Sequence, residues 1–435
     1  MRAQSKAAVV VAVALAACPG AARADDAAPF SGTLTGDWGG YRSWLRDLGI
    51  DFQLGYTSET ASNVQGGTKE GTRYTDQWAF GSTLDLQKLL GLNDAKFQVT
   101  ITDRNGRNLS SDEHLGTLQQ VQEVYGRGQT WRITQFWYDQ NYLGGLLDWK
   151  IGRLTEGEDF ASFSCDFMNL TFCGAPPGNI AGDYWYNWPV SQWATRLKVA
   201  LTGLGYVQLG AYEINPSYLT RRYAFNLDDP PGSTGVLLPL EVGWLPAFGA
   251  AQLKGSYKFG AWYNTSRSSD VFENAQGQAL ALAGGQPRGR DGQYGFYVNF
   301  LQKVTQPSAA EPERGLSIFF NATFADRQTE AIDNQIALGL FYTGVFDSRP
   351  QDDIGFGIGR THVNSRVTNA EKLQNAAGAG PVGVQTSEYA GEVYYGLQAT
   401  PWLILRPNFQ YIHQPGGVAH ATDDIILGLK LLLNL

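Results

Sequence analysis

The chain has 435 residues, with 33 basic against 41 acidic side chains and a formal net charge of −8. That balance leaves no basic footprint for nucleic acid. Charged residues at 17%, aromatics at 13% and 52 glycines favour sheet and turns over long helices. The length exceeds a typical small domain but suits one large barrel, and a mean hydropathy of −0.25 fits a sheet in which only every second residue meets lipid.

The N-terminus reads as a secretion signal. Arg2 and Lys6 precede an apolar run, Ala7 to Ala17, too short to span a bilayer. Ala22-Arg23-Ala24 is an A-x-A cleavage site, which assigns 1–24 to a signal peptide. Leu15-Ala16-Ala17-Cys18 offers a rival lipoprotein signal, but cutting at Ala24 removes Cys18 and leaves an even cysteine count. Export implies an oxidising compartment, where the closely spaced Cys165 and Cys173 are expected to form one local disulfide. With two mature cysteines and four scattered histidines there is no ligand cluster, so no metal or cofactor is expected.

Residues 25–49 are expected to form a periplasmic N-terminal segment with one short helix. Asp37 can cap it, Tyr41, Trp44, Leu45 and Leu48 make its apolar stripe, and Gly49 can end it. The stripe is expected to pack on the periplasmic mouth of a barrel spanning 50–435. Sixteen candidate strands follow, at 50–58, 77–86, 95–104, 131–142, 148–154, 193–202, 205–213, 237–245, 251–263, 293–304, 315–326, 333–344, 353–363, 387–399, 402–412 and 423–434. Long connections (59–76, 105–130, 155–192, 214–236, 264–292, 364–386) mostly alternate with short ones (143–147, 203–204, 246–250, 400–401). Short periplasmic turns and long outer loops characterise a bacterial outer-membrane barrel, and no stretch approaches the ~20 apolar residues of a membrane helix. The expected fold is all-β: a sixteen-stranded antiparallel transmembrane β-barrel with a short N-terminal periplasmic helix and inward-folded loops.

Alternation also assigns a lumen face. Phe97, Val99 and Ile101 share one face, so Arg104 falls on the other; Leu197 and Val199 likewise place Arg196 and Lys198 inward. By the same rule Lys254, Lys258, Arg406 and Lys430 point inward, because a basic residue facing lipid at the midplane costs roughly 2–4 kcal/mol. The connection 155–192 is the candidate constriction. Its Phe160, Phe163, Phe167 and Phe172 are too apolar for an exposed loop, Cys165 and Cys173 can staple it, and Trp185, Trp188 and Trp193 follow. Glu156, Glu158, Asp159 and Asp166 supply acceptors opposite the basic wall. A second inward loop, 105–130, offers Arg107 and Glu123. Trp193 and Arg196, three apart, fall on opposite strand faces unless a bulge intervenes. The acidic residues of other connections, such as Asp112 and Asp270, could hold divalent cations that bridge lipopolysaccharide, although no calcium-loop pattern is present.

Several segments together resemble the carbohydrate-selective outer-membrane porins of the OprB type. The opening Thr35-Gly36-Asp37-Trp38-Gly39-Gly40-Tyr41-Arg42 is followed by Ile50-Asp51-Phe52. Phe136-Trp137-Tyr138-Asp139-Gln140, Gly260-Ala261-Trp262-Tyr263, Tyr294-Gly295-Phe296-Tyr297 and Thr400-Pro401-Trp402-Leu403 come next, in order. Gln410-Tyr411-Ile412, Pro415-Gly416-Gly417 and Asp423-Asp424-Ile425-Ile426-Leu427-Gly428-Leu429 complete the set. The resemblance implies a sixteen-stranded barrel in the bacterial outer membrane that passes glucose and similar sugars by diffusion and is not an enzyme. Barrels of this size often form trimers, which leaves a homotrimer open. The chain departs from the usual aromatic terminus by ending Leu433-Asn434-Leu435, which bears on assembly. A basic lining suits a channel for small organic acids or other anionic solutes almost as well, and only the resemblance favours sugars.

Overall fold

The computed structural model describes residues 29–378 and 380–435. The signal peptide expected over 1–24, with its rival reading at Cys18, lies outside the described residues. Sixteen strands form the barrel: β1 (Ile50–Gln65), β2 (Gly71–Asp85), β3 (Ala95–Gly106), β4 (Trp131–Tyr142), β5 (Leu147–Leu154), β6 (Gln192–Leu201), β7 (Gly205–Ile214), β8 (Gly235–Trp244), β9 (Leu253–Asn274), β10 (Pro287–Lys303), β11 (Gly315–Ala325), β12 (Ile332–Thr343), β13 (Asp353–Val363), β14 (Ser387–Thr400), β15 (Leu403–His413) and β16 (Asp424–Asn434). Each pairs antiparallel with its sequence neighbour, and β1 closes on β16 through Glu59↔Lys430 and the flanking pairs. A two-residue piece, Ala247–Phe248, extends the turn before β9. Closure removes every sheet edge, as a membrane-spanning sheet requires.

Alternation is plainest in β8. Val236, Leu238, Leu240, Val242 and Trp244 lie on the exposed outer face, while Leu237 and Glu241 are fully buried inside. The expected strands match in number and order, but two connections are shorter than expected. β1 and β2 run on to a turn at 66–70, and β9 and β10 form long arms around 275–286. Those stretches escape an apolar-alternation search because their outer faces are polar, with Thr60 and Ser62 in β1 and Thr265, Arg267 and Ser269 in β9; the inner residues Glu59 and Ala61 are buried against the connection 107–130 instead.

Helix α1 (Tyr41–Leu48) forms where expected. Gly49 ends it in the left-handed region at φ 103°, its N–H on the Arg46 carbonyl. Asp37 accepts the Ser43 N–H at 2.7 Å. The helix does not bury its apolar stripe, however. Tyr41, Trp44 and Leu48 stay exposed, and Arg42 is the buried side chain. Its guanidinium donates to the carbonyls of Leu435 and Phe52, both at 2.9 Å, and lies 4.4 Å over the Phe30 ring. Unpaired rim carbonyls offer charge-assisted hydrogen bonds that a Leu or Trp cannot make, so they select the arginine face. The non-aromatic terminus is thereby tied on both sides, since the Leu435 N–H also donates to the Leu54 carbonyl at 2.9 Å.

Candidate functional site

The connection 155–191 leaves β5 and crosses the lumen before re-entering at β6. Its phenylalanines drive it inward: Phe160, Phe167 and Phe172 are fully buried, and Phe167 lies 5.1 Å from both Phe172 and the strand residue Tyr394. Each such burial is worth about 1.5–3 kcal/mol. Charged strand residues then fix the backbone. Glu241 accepts the Ala161 N–H at 2.8 Å. Lys258 Nζ donates to the Ser162 carbonyl at 2.5 Å and to its hydroxyl at 2.7 Å. Glu392 accepts the N–H groups of Met168 and Asn169 at 2.9 and 2.7 Å. Arg406 pairs with Asp166 at 3.1 Å, and Lys430 Nζ donates to the carbonyls of Cys165 and Phe167 at 3.0 and 2.9 Å. Cys165 and Cys173 are disulfide-bonded across the tip.

The connection 107–130 is held the same way. Glu388 accepts the N–H groups of Leu118 and Gln119 at 2.6 and 3.2 Å, and Glu59 accepts that of Val124 at 3.1 Å. The two inward loops and the β1–β3 and β16 wall enclose a cavity of about 950 Å³. Three cations (Arg104, Arg127, Lys430) and two carboxylates (Glu123, Glu158) line it, with the amides Gln77, Gln120, Asn179 and Asn187 and the aromatic faces of Trp188 and Phe163. Arg104 donates to Gln77 Oε1 and to the Gly126 carbonyl, each at 2.8 Å. Trp188 Nε1 donates to the same Gln77 oxygen at 2.8 Å, so one amide orients both a guanidinium and an indole. Glu123 lies between Lys430 at 2.9 Å and Arg104 at 3.8 Å, and Lys430 also meets Glu59 at 3.3 Å. Glu123 also lies near Cys165 and Cys173, but their sulfurs are joined and offer no thiolate ligand.

The other expected site residues are placed as follows. Arg196 is buried at 3% exposure, inside a nest of Asp148 (2.7 Å), Asp139 (3.4 Å) and Asp159 (3.7 Å). Arg406 is likewise paired, with Asp166 and Asp353, while Lys258 is held by the neutral Ser162 carbonyl and hydroxyl, so the basic wall is largely engaged rather than free. Lys198 lies 5.0 Å over the Tyr206 ring, and Lys254 is exposed near the turn before β9. Arg107 is exposed and pairs with Asp112 at 2.6 Å, outside the cavity lining. Trp185 is fully buried, edge-on to Trp262 at 5.4 Å, and so faces no passage. Trp193 packs against Tyr186, Val190 and Tyr218, and the unbroken β5–β6 register keeps it on the face opposite Arg196. The aromatic wall expected along the whole loop therefore reduces to Trp188 and Phe163; the other rings hold the loop to the barrel. Two acidic residues expected on loops are occupied as well, Asp112 by Arg73 at 2.6 Å and Asp270, which lies within β9, by Arg366 at 2.6 Å.

Arg127 was invisible to alternation because it sits on a loop. Its guanidinium bridges the two inward loops, donating to the carbonyls of Gly182 (2.5 Å), Gly178 and Trp185 (both 3.2 Å), and burial lowers its pKa. Burial pushes the Glu156 carboxyl well above the usual range. It lifts Glu330 to about 8, with Asp183 adding to the shift.

The profile of the carbohydrate-selective porin, OprB family, matches residues 69–435. Porin B of Pseudomonas aeruginosa is 46% identical over 416 residues, covering 93% of this chain and 91% of that protein. The high-pH structure of Pseudomonas putida OprB superposes with a TM-score of 0.90 at 45% identity, covering 93% of this chain and 99% of that one. The low-pH structure of the same protein gives a TM-score of 0.61 over the same coverage.

Proposed function

The chain belongs to the carbohydrate-selective OprB family of outer-membrane porins, and from that premise we propose how its passage selects. It is a transport channel in the outer membrane, and solutes cross it by diffusion. The observation that carries the reading is the near balance of charge in the cavity, three cations against two carboxylates. Fixed donors and acceptors replace the water that a sugar's hydroxyls lose, while near neutrality avoids trapping an ion. Arg104, Glu123 and Arg127 serve hydroxyls, while the buried Lys430 holds Glu123 and the loop in place; Trp188 supplies a flat apolar face for a pyranose such as glucose. Arg196, Lys258 and Arg406 act as positioning residues through the loop, and Lys198 and Lys254 bias the route against cations.

The one-charge excess of cations supports a second reading, a channel for small organic acids or other anions. Liposome swelling with glucose, disaccharides and small organic acids separates the two. Faster swelling with neutral monosaccharides is expected; swelling with the acids alone overturns the sugar reading. Lipopolysaccharide contact and a homotrimeric state are tested by native mass spectrometry from mild detergent.

A further inference from the structure

Beneath the constriction loop lies a second, smaller cavity of about 250 Å³. It sits toward the periplasmic end of β9 and β10, where Ser256 and Lys258 begin one strand and Asn299 approaches the end of the other. Ser162 and Phe163 line both this cavity and the larger one, so the two adjoin, with the Phe163 ring at their junction. That ring is anchored 5.0 Å from Phe319.

We propose that this lower cavity is a second monosaccharide subsite, one step nearer the periplasm than the Arg104–Trp188 constriction. The proposal rests on the carbohydrate reading above. Three observations carry it. The Asn299 side chain is 4% exposed, donates to the Ala161 carbonyl at 3.2 Å, and leaves its Oδ1 buried without a partner. A buried, unsatisfied acceptor costs about 1–3 kcal/mol, a cost that a hydroxyl donor from a ligand would relieve. Lys258 Nζ, fixed by Ser162, and the Ser164 and Ser256 hydroxyls also line the space. Among the described residues neither serine hydroxyl has a side-chain hydrogen bond, so both are available. The volume equals roughly eight waters at about 30 Å³ each, the scale of one sugar ring with its hydroxyls. Two weak stations in series suit conduction, because solute must enter each site and still leave it.

The test uses the purified full-length protein in liposomes and planar bilayers, with Asn299→Leu and Ser256→Val as variants and Arg104→Ala as the comparison in the upper site. Heat-modifiable migration establishes that each barrel is folded, and Ser256→Val serves if Asn299→Leu disturbs the loop. Loss of one hydrogen bond corresponds to about a twofold to tenfold fall in glucose swelling rate at limiting concentration, with unchanged potassium chloride conductance. Glucose rates equal to wild type in both variants, while Arg104→Ala lowers them, would overturn the subsite and leave the channel's function intact. A conductance that falls in parallel with glucose flux would also overturn it, since narrowing rather than binding would then be responsible. If the wild-type channel passes a neutral polyether of sugar size as fast as glucose, the carbohydrate reading fails, and the subsite with it.

Discussion

Replacing Lys430 with Met probes the hub of the constriction. Its ammonium is 2% exposed and faces Glu123 at 2.9 Å and Glu59 at 3.3 Å, while also holding two carbonyls of the disulfide-closed tip. At an effective dielectric of about 20, the two attractions amount to roughly 5–6 and 5 kcal/mol before desolvation. Desolvating the three charges offsets much of that, and removing one member of such a buried group costs about 3–5 kcal/mol. Lys430→Met is therefore expected to destabilise the folded barrel by about that amount in urea titrations read by gel mobility. Adding Glu59→Gln removes the second stranded carboxylate and should recover at least about 1 kcal/mol. The stranded Glu123 should also shift the reversal potential in a salt gradient toward cation preference. A variant that unfolds within about 1 kcal/mol of wild type, with an unchanged reversal potential, would refute the hub.

Arg104→Ala is expected to lower glucose flux and anion preference together, because Glu123 loses one of its two cations; unchanged reversal potentials would count against its place in the passage. Trp188→Phe keeps an aromatic face but leaves Gln77 with Arg104 as its one donor, so sugar flux should drop about twofold to tenfold with little change in ion conductance, measured by swelling and single-channel recording. Folded Glu156 retains its proton above about pH 4.3, where an unfolded glutamate loses it. The native chain then binds the extra proton, and stability falls as pH rises, by up to about 1.4 kcal/mol per pH unit, until the raised folded value is passed. Glu330, lifted to about 8, adds a fall of the same sign, so Glu156→Gln should lessen the slope in unfolding titrations by up to one proton's worth; a slope equal to that of wild type would place the proton elsewhere. Cys165→Ser with Cys173→Ser opens a loop of sequence separation 8 and should cost about 2–3 kcal/mol on the chain-entropy account; no change in unfolding or in protease cleavage within 155–191 would show that the side-chain anchors suffice.

The barrel was legible in the amino-acid sequence because a membrane-spanning strand must repeat with period two, and Phe97-Gln98-Val99-Thr100-Ile101 carries that period openly. Strand number, the inward sense of Arg104, Arg196, Lys258 and Arg406, and the cysteine pair all follow from alternation and close spacing. The added lengths of β1, β2, β9 and β10 did not, since their outer faces are polar and the period there carries no hydrophobic signal. The passage itself was decided by tertiary structure. Arg127 and the amides Asn179 and Asn187 sit on loops, whose side-chain directions no periodicity dictates, and Trp185 and Trp193 were lost to packing for the same reason. Nor could spacing tell a free cation from a neutralised one: Arg196 and Arg406 face inward as expected, but carboxylates of other strands and of the folded-in loop claim their charge. Sequence alone determined which face of each strand meets water. Only the folded loops decided which of those water-facing groups remain open to a solute, because burial and ion pairing depend on what the chain brings back from far away.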